Sequence, residues 1–339
     1  MAPYQLFVGV DIAATTATVS WRSAEGSPTR ALTIDQTAQG FTTLQQRLFA
    51  TGYAAATILV VREATGTYWI SLATSLAQAG FAVSVINPSQ AHAFAKALLK
   101  RAKTDAIDAQ TLAELGARLQ PAPWTPPPAS YAELQQRLAQ RAALVELRIQ
   151  VRNQRHALLQ LPVVIASVRD RMDALIATLT AQIAAVEAEL APTIPQDAAW
   201  AAAAARLQTI TGVGRLTASW LLVTTLNFTL CPTPEAATSY AGLAPHPRQS
   251  GTSVRGRTAI GHTGNARLRR ALYLATLSAA QHNPVIHAFY TRLRAAGKPP
   301  KVARCAAARK LLHIAWAVVT KDQDFDPAYG AEAAVVGTA

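Results

Sequence analysis

Cysteine is almost missing from this chain: Cys231 and Cys305 are the only two in 339 residues, far apart and without metal-ligand spacing. That excludes a disulfide framework or a zinc ribbon and leaves buried free thiols as the default. The seven histidines form no HxxxH or HExxH pattern, so zinc chemistry has no support. No charged leader with an apolar core and cleavage site opens the chain, and no uninterrupted apolar run reaches membrane-spanning length; Ala198 to Ala205 is too short and too weakly hydrophobic. A soluble cytoplasmic protein with no membrane partner is expected.

Acid is also scarce. Asp and Glu total 19 against 32 Lys and Arg, a formal charge of +13, which points to a polyanionic partner. From Ala236 to Lys321 there are 14 Lys or Arg and no Asp or Glu. A solvated helical face mixes signs, so a one-sign stretch this long favours phosphate contacts. Gly212, Gly214, Arg248, Arg255, Arg257, Arg267, Arg269 and Arg270, with Lys103 upstream, are the candidate nucleic-acid contacts.

Against that background four acids stand out by position. Tyr4 to Val10 reads as an apolar strand running into Asp11, and Thr57 to Arg62 as another running into Glu63. Asp105 and Asp108 lie three apart where a helical pattern opens, so both project from one helix face. Taken singly, each acid has a structural explanation as a strand-end or helix cap. Taken together, carboxylates gathered this closely repel unless a cation neutralises them, and hard oxygen ligands suit Mg²⁺, with Mn²⁺ as a substitute. Paired ions about 3.5 to 4 Å apart stabilise both the attacking and the leaving oxygen of a phosphoryl transfer.

The expected fold class is α/β plus α. Residues 1–120 alternate strands (near 4–11, 16–22, 29–34, 57–62 and 81–86) with helices (near 38–50, 68–79 and 105–117), an antiparallel meander followed by parallel crossovers as in an RNase-H-like domain. Prolines at 121, 123, 126, 127 and 128 make 121–129 a stiff linker. Residues 130–193 carry apolar spacings of three, four and seven in two long helices broken near Pro162, a hairpin expected to dimerise as a coiled coil. Residues 196–326 form a mostly α domain in which Leu207 to Gly214 fits a helix-hairpin-helix, with later helices over 265–281, 284–296 and 301–319. The tail 327–339 is expected to be disordered.

Between those elements lies Pro247 to Arg257, a short, polar, glycine-flanked segment free of acid. A serine on such a turn exposes its hydroxyl, and flanking arginines would bind a scissile phosphate. Ser250 is the candidate nucleophile, with Ser253 close by.

Val8-Gly9-Val10-Asp11, Glu63-Ala64-Thr65-Gly66-Thr67-Tyr68, Ile86-Asn87-Pro88 and Lys103-Thr104-Asp105 to Asp108-Ala109 resemble, in order and spacing, the RuvC-like domain of the DEDD insertion-sequence transposases. Ile210 to Gly214, Ala241-Gly242-Leu243-Ala244-Pro245 and Ser250 to Gly256 resemble the transposase domain of the same family. The resemblance implies that Asp11, Glu63, Asp105 and Asp108 bind Mg²⁺ and that Ser250 attacks DNA and becomes covalently linked to it. It further implies strand exchange without a free double-strand break, a structured non-coding guide RNA that pairs with donor and target DNA, and dimers pairing into a tetramer with composite active sites. Two other readings compete: a metal-dependent structure-specific nuclease in which Ser250 is merely structural, and a nucleic-acid scaffold without catalysis.

Overall fold

The computed structural model describes residues 4–64, 68–99, 104–246, 249–250, 254–255, 259–260 and 264–328. The chain divides after Pro126 into two compact units.

The first unit is built on strands β1 (Leu6–Ile12), β2 (Thr16–Ser23), β3 (Leu32–Asp35), β4 (Ile58–Glu63) and β5 (Ala82–Ile86), with helices α1 (Ala38–Phe49), α2 (Ile70–Gln78), α3 (Pro88–Ala97) and α4 (Asp105–Leu119). The sheet order is β3-β2-β1-β4-β5. β1 to β3 form the expected antiparallel meander, while β4 and β5 run parallel to β1. Parallel neighbours require a crossover, and α2 supplies one between β4 and β5.

β1 is the middle strand, and its run Leu6 to Val10 is buried throughout, as a strand covered on both faces should be. On one face Phe7, Leu59, Val61 and Ile86 pack with Leu112 and Leu115 of α4. The approach is close because Gly9 has no side chain: a Cβ there would lie 1.9 Å from the Ala109 carbonyl oxygen and 2.4 Å from the Ala113 nitrogen. Gly116 answers from the helix, where a Cβ would stand 2.9 Å from Val61. α1 and α2 bury Leu44, Leu48, Leu72 and Leu76 and take the other face.

The α3 helix was not among the expected elements. Its start signal is present, since Asn87 caps the helix by accepting from the Ser89 N–H at 2.8 Å and Pro88 fills the first helical position. Its body has no fully buried residue, and only Ala91 and Phe94 pack partly against the sheet core, so its apolar stripe is short. The proline-rich segment is more than a spacer at its start: Trp124 is 9% exposed, its backbone N–H donates to the Val83 carbonyl on edge strand β5, and its ring meets Trp69 edge-on at 5.3 Å.

The second unit is helical. α5 (Ser130–Leu158) and α6 (Ala166–Thr193) form a hairpin, followed by α7 (Ala198–Thr209), α8 (Arg215–Thr225), α9 (Pro234–Tyr240), α10 (Ala266–His282), α11 (Pro284–Ala295) and α12 (Pro300–Thr320). At the hairpin base Leu134, Leu138 and Leu190 enter the core shared by α7 to α12. Farther out the arms are tied by ion pairs, Arg141 to Glu187 at 2.6 Å, Arg137 to Glu189 at 3.3 Å and Arg155 to Asp173. Leu147, Leu161, Val163, Ile165 and Leu175 on these arms and their connection remain exposed. By length and composition Ala166–Gln196 is apolar enough to cross a bilayer, contrary to the expectation that no segment reaches that length. The charges at Arg169, Asp170, Arg171, Asp173, Glu187 and Glu189 interrupt the run, and its ion pairs to α5 identify an arm of the hairpin.

Two short antiparallel pairs lie between α9 and α10. β6 (Pro245–His246) joins β9 (Ala259–Ile260), and β7 (Gln249–Ser250) joins β8 (Val254–Arg255). The sequence reading treated this stretch as loop, because two-residue strands leave no periodicity. Of the tail 327–339, only Pro327 and Ala328 belong to the described residues, and they form a turn.

Candidate active site

Parallel pairing sets Val10 opposite Arg62, so one step further along the same register brings Asp11 beside Glu63 at the C-terminal ends of these two interior strands. Both point to the face that α4 covers, since each lies two residues beyond Gly9 or Val61, which face that helix. The helix then delivers two more carboxylates. Thr104 caps α4 by accepting from the Ile107 N–H at 3.3 Å, which fixes the first turn and with it Asp105 and Asp108, where the dipole favours negative charge. Asp11, Glu63, Asp105 and Asp108 all line one cavity of about 660 Å³.

Their proximity has an electrostatic signature. The Asp11 carboxyl is pushed up to about 6 by burial first, then by repulsion from Asp105, Asp108 and Glu63, against a small opposing effect of the Ile12 N–H. A carboxyl raised by three neighbouring acids is one that a cation would return to its ionised form. Among the described residues no three His, Cys, Asp or Glu side chains are already drawn into a metal shell. The donor set nevertheless fits a hard divalent ion: oxygen only, clustered, with four carboxylates lining one cleft.

Partial compensation of their charge comes from Arg62, a residue the sequence reading passed over as ordinary strand. It is 3% exposed, and its guanidinium carbon lies 4.6 Å from the centroid of the Trp69 ring. Burial pulls its pKa down to about 9, with Glu63 and Asp11 opposing, so it stays protonated at neutral pH. Nε and Nη1 are buried with no hydrogen-bond partner among the described residues. Only the adjacency of Arg62 to Glu63 in a strand could have flagged it. The cleft also recruits His92 and Lys96 from α3 and the buried Thr111 from α4, none of which the sequence reading singled out. For His92 and Lys96 the usable signal was the four-residue spacing behind the Asn87-Pro88 helix start.

The remaining candidates lie in the second unit, apart from Lys103. Ser250 sits on β7 with Val254 as its cross-strand partner, and Arg255 on β8 faces Gln249. Lys103, Arg248 and Arg257 lie outside the described residues, as does Ser253. Gly212 takes φ +99° in the turn between α7 and α8, and a Cβ there would come within 2.6 Å of Ala279 on α10, so the close approach of α10 by itself requires this glycine. Gly214 stands at the start of α8 with nothing within 4 Å of a Cβ, leaving that helix N-terminus approachable. Arg267 lies over the Trp220 ring at 5.8 Å, Arg269 donates to the Ala241 carbonyl at 3.2 Å, and Arg270 pairs with Glu146 at 2.9 Å. These three arginines therefore have intramolecular partners.

Comparison with known proteins finds relatives along most of the chain. Residues 8–162 match the transposase family defined by the DEDD transposases of IS110 elements, and residues 204–291 match the IS116/IS110/IS902 transposase family. The chain is 32% identical over 327 residues to the pilin gene-inverting protein of Moraxella bovis, covering 94% of this chain and 97% of that one. The pilin gene-inverting protein of Moraxella lacunata is likewise 32% identical, over 321 residues, with 94% and 97% covered. An uncharacterized 43.6 kDa protein of insertion element IS110 from Streptomyces coelicolor is 38% identical over 113 residues, 33% of this chain and 28% of that one.

Proposed function

Because the chain belongs to the IS116/IS110/IS902 family of insertion-element transposases, we propose that it cuts and rejoins DNA using Asp11, Glu63, Asp105 and Asp108 as ligands of divalent metal and Ser250 as the attacking nucleophile. The observation that carries this reading is the convergence of the four carboxylates on one cleft, with Asp11 driven up to about 6 by burial and by the other three. Magnesium bound there, or manganese in its place, would act as a Lewis acid on the phosphate oxygens.

The chain's own groups account for the rest. The Ser250 hydroxyl attacks phosphorus, forming an Oγ–P bond; the bond from phosphorus to the departing strand breaks, and that strand leaves with a free hydroxyl end. The serine proton passes to solvent. In the second half of the reaction a hydroxyl from another strand attacks the same phosphorus and releases Ser250. No energy is lost to hydrolysis, because the phosphodiester is stored on the protein. Arg248 and Arg255, close to Ser250 in sequence, would offset charge developing on the transferring phosphate.

An acid-free stretch with 14 Lys or Arg supports binding of DNA and of a structured guide RNA. The exposed leucines and isoleucine of the α5–α6 hairpin support self-association through that hairpin, in dimers that pair into a tetramer.

The test uses the full chain with Mg²⁺, the element's RNA and cognate DNA, followed by denaturation and a search for DNA attached to protein. Loss of the adduct in both Ser250→Ala and Asp11→Ala is expected. Free cleaved ends produced by Ser250→Ala would instead favour a hydrolytic nuclease.

A further inference from the structure

The cleft has a second wall. α3 lines it with Pro88, Ala91, His92, Ala95 and Lys96, positions spaced i, i+3, i+4, i+7 and i+8, which is one continuous stripe of the helix. Ala91 packs partly against the sheet core, but His92 and Lys96 are exposed, so packing does not dictate those two side chains. Two alanines leave room along it, and the two longer members both carry nitrogen donors. His92 and Lys96 are the basic side chains among the residues lining the cavity, opposite four carboxylates.

The charge balance makes this wall useful. Four carboxylates repel a DNA strand, and two divalent ions would only cancel them. Among the side chains that line the metal-loaded cleft, Lys96 is then the fixed positive charge available to attract a strand. Among the described residues Lys96 takes part in no ion pair, so its charge is not spent on an acid of its own unit. His92 and Lys96 are offset by about 6 Å along the helix axis, so the two can address neighbouring phosphates of one strand.

We propose that the His92–Lys96 face of α3 is a phosphodiester subsite that holds the DNA strand being cut against the acid cluster. The assignment rests on the phosphoryl-transfer reading of that cluster, and it concerns DNA rather than RNA because the cleft is where the cutting chemistry resides. Lys96 would serve as a positioning residue through its charge, with His92 donating a hydrogen bond from a ring N–H.

The test measures equilibrium binding of the full chain to a fluorescent DNA oligonucleotide across a salt series, with EDTA and with Ca²⁺, so that no cleavage is needed. Lys96→Ala is expected to weaken binding about three- to tenfold in Ca²⁺ and to lower the salt slope by about one. Lys96→Arg should restore both, and His92→Ala should weaken binding without changing the slope. The thermal midpoint should stay at the parent value, since His92 and Lys96 are exposed and take no part in the core, and terbium luminescence titration should show the acid cluster still binding metal. A parent-like affinity and slope in Lys96→Ala overturns the proposal. So does a loss that appears only together with a lowered thermal midpoint, or one confined to an RNA oligonucleotide of the same length. If the parent fails to cleave DNA with any divalent metal, the catalytic reading falls on its own, while the binding series still reports on Lys96.

Discussion

Replacing Asp11 with asparagine should make the metal-free protein more stable while destroying its activity. In the folded chain the Asp11 carboxyl is raised from 3.8 to about 6. Between those values the folded state holds a proton that the unfolded state has released, so stability falls as pH rises through the window and the full penalty is present above about pH 6. A displacement of that size corresponds to about 3 kcal/mol, and screening at a half-exposed carboxylate reduces it to about 1–2 kcal/mol. An asparagine side chain cannot ionise yet can still accept the Ile12 N–H, so Asp11→Asn should recover this amount at pH 7.5 and little of it at pH 4. The measurement is hydrogen exchange of peptides covering β1 and β4 in excess EDTA, corrected for the intrinsic effect of pH on exchange. A gain of about 1–2 kcal/mol appears as roughly 5- to 30-fold greater protection at pH 7.5. Adding Mg²⁺ should then protect the parent and leave the variant unchanged. The reasoning is refuted if the variant exchanges as fast as the parent at pH 7.5, or gains equally at pH 4.

Other expectations follow from the same geometry. Gly9→Ala forces a Cβ into α4 backbone at 1.9 Å and should cost about 3 kcal/mol or more, lowering the melting temperature and abolishing DNA cleavage as Asp105 and Asp108 are pushed away. Gly212→Ala combines φ +99° with a 2.6 Å approach to Ala279; about 2–3 kcal/mol of destabilisation is expected, with terbium binding to the acid cluster unaltered. Because protons compete with metal at Asp11, the apparent Mg²⁺ requirement for cleavage should rise as pH drops below about 6, which a metal titration at pH 5.5 and 7.5 would reveal. Ser250→Ala should eliminate the covalent adduct while preserving DNA affinity within about twofold, since one hydroxyl adds little to a binding surface dominated by charge.

The sheet and the placement of the four acids were readable because their signals are redundant. Apolar runs ending in Asp11 and Glu63, and a capped helix beginning at Asp105, each imposed a position independently, and the pairing registers agree with all three. The α5–α6 hairpin and α10 to α12 were equally open to reading, since long helices display their period many times. What escaped were features with no periodic trace. α3 buries no residue fully and packs only Ala91 and Phe94 partly against the core, so its Asn87-Pro88 start was the clearer signal. Arg62 looks like one polar interruption in β4 until Trp69 is found over it. Gly212 matched a phosphate-binding turn by pattern, whereas its tightest constraint is Ala279, 67 positions downstream and visible only once α10 is in place.

Register along β1 carries a further consequence. Side chains on a strand alternate between faces, so sliding β1 by one residue against β2 and β4 would hand the place of Asp11 to Val10 or Ile12 and turn the carboxylate toward the apolar layer beneath α1 and α2. Gly9 would slide with it, and a valine would then confront the α4 backbone. A molecule that zipped incorrectly would thus be both inert and unable to seat its helix. One glycine acts as a proofreading notch: only the alignment that creates the acidic cleft lets the protein close over it.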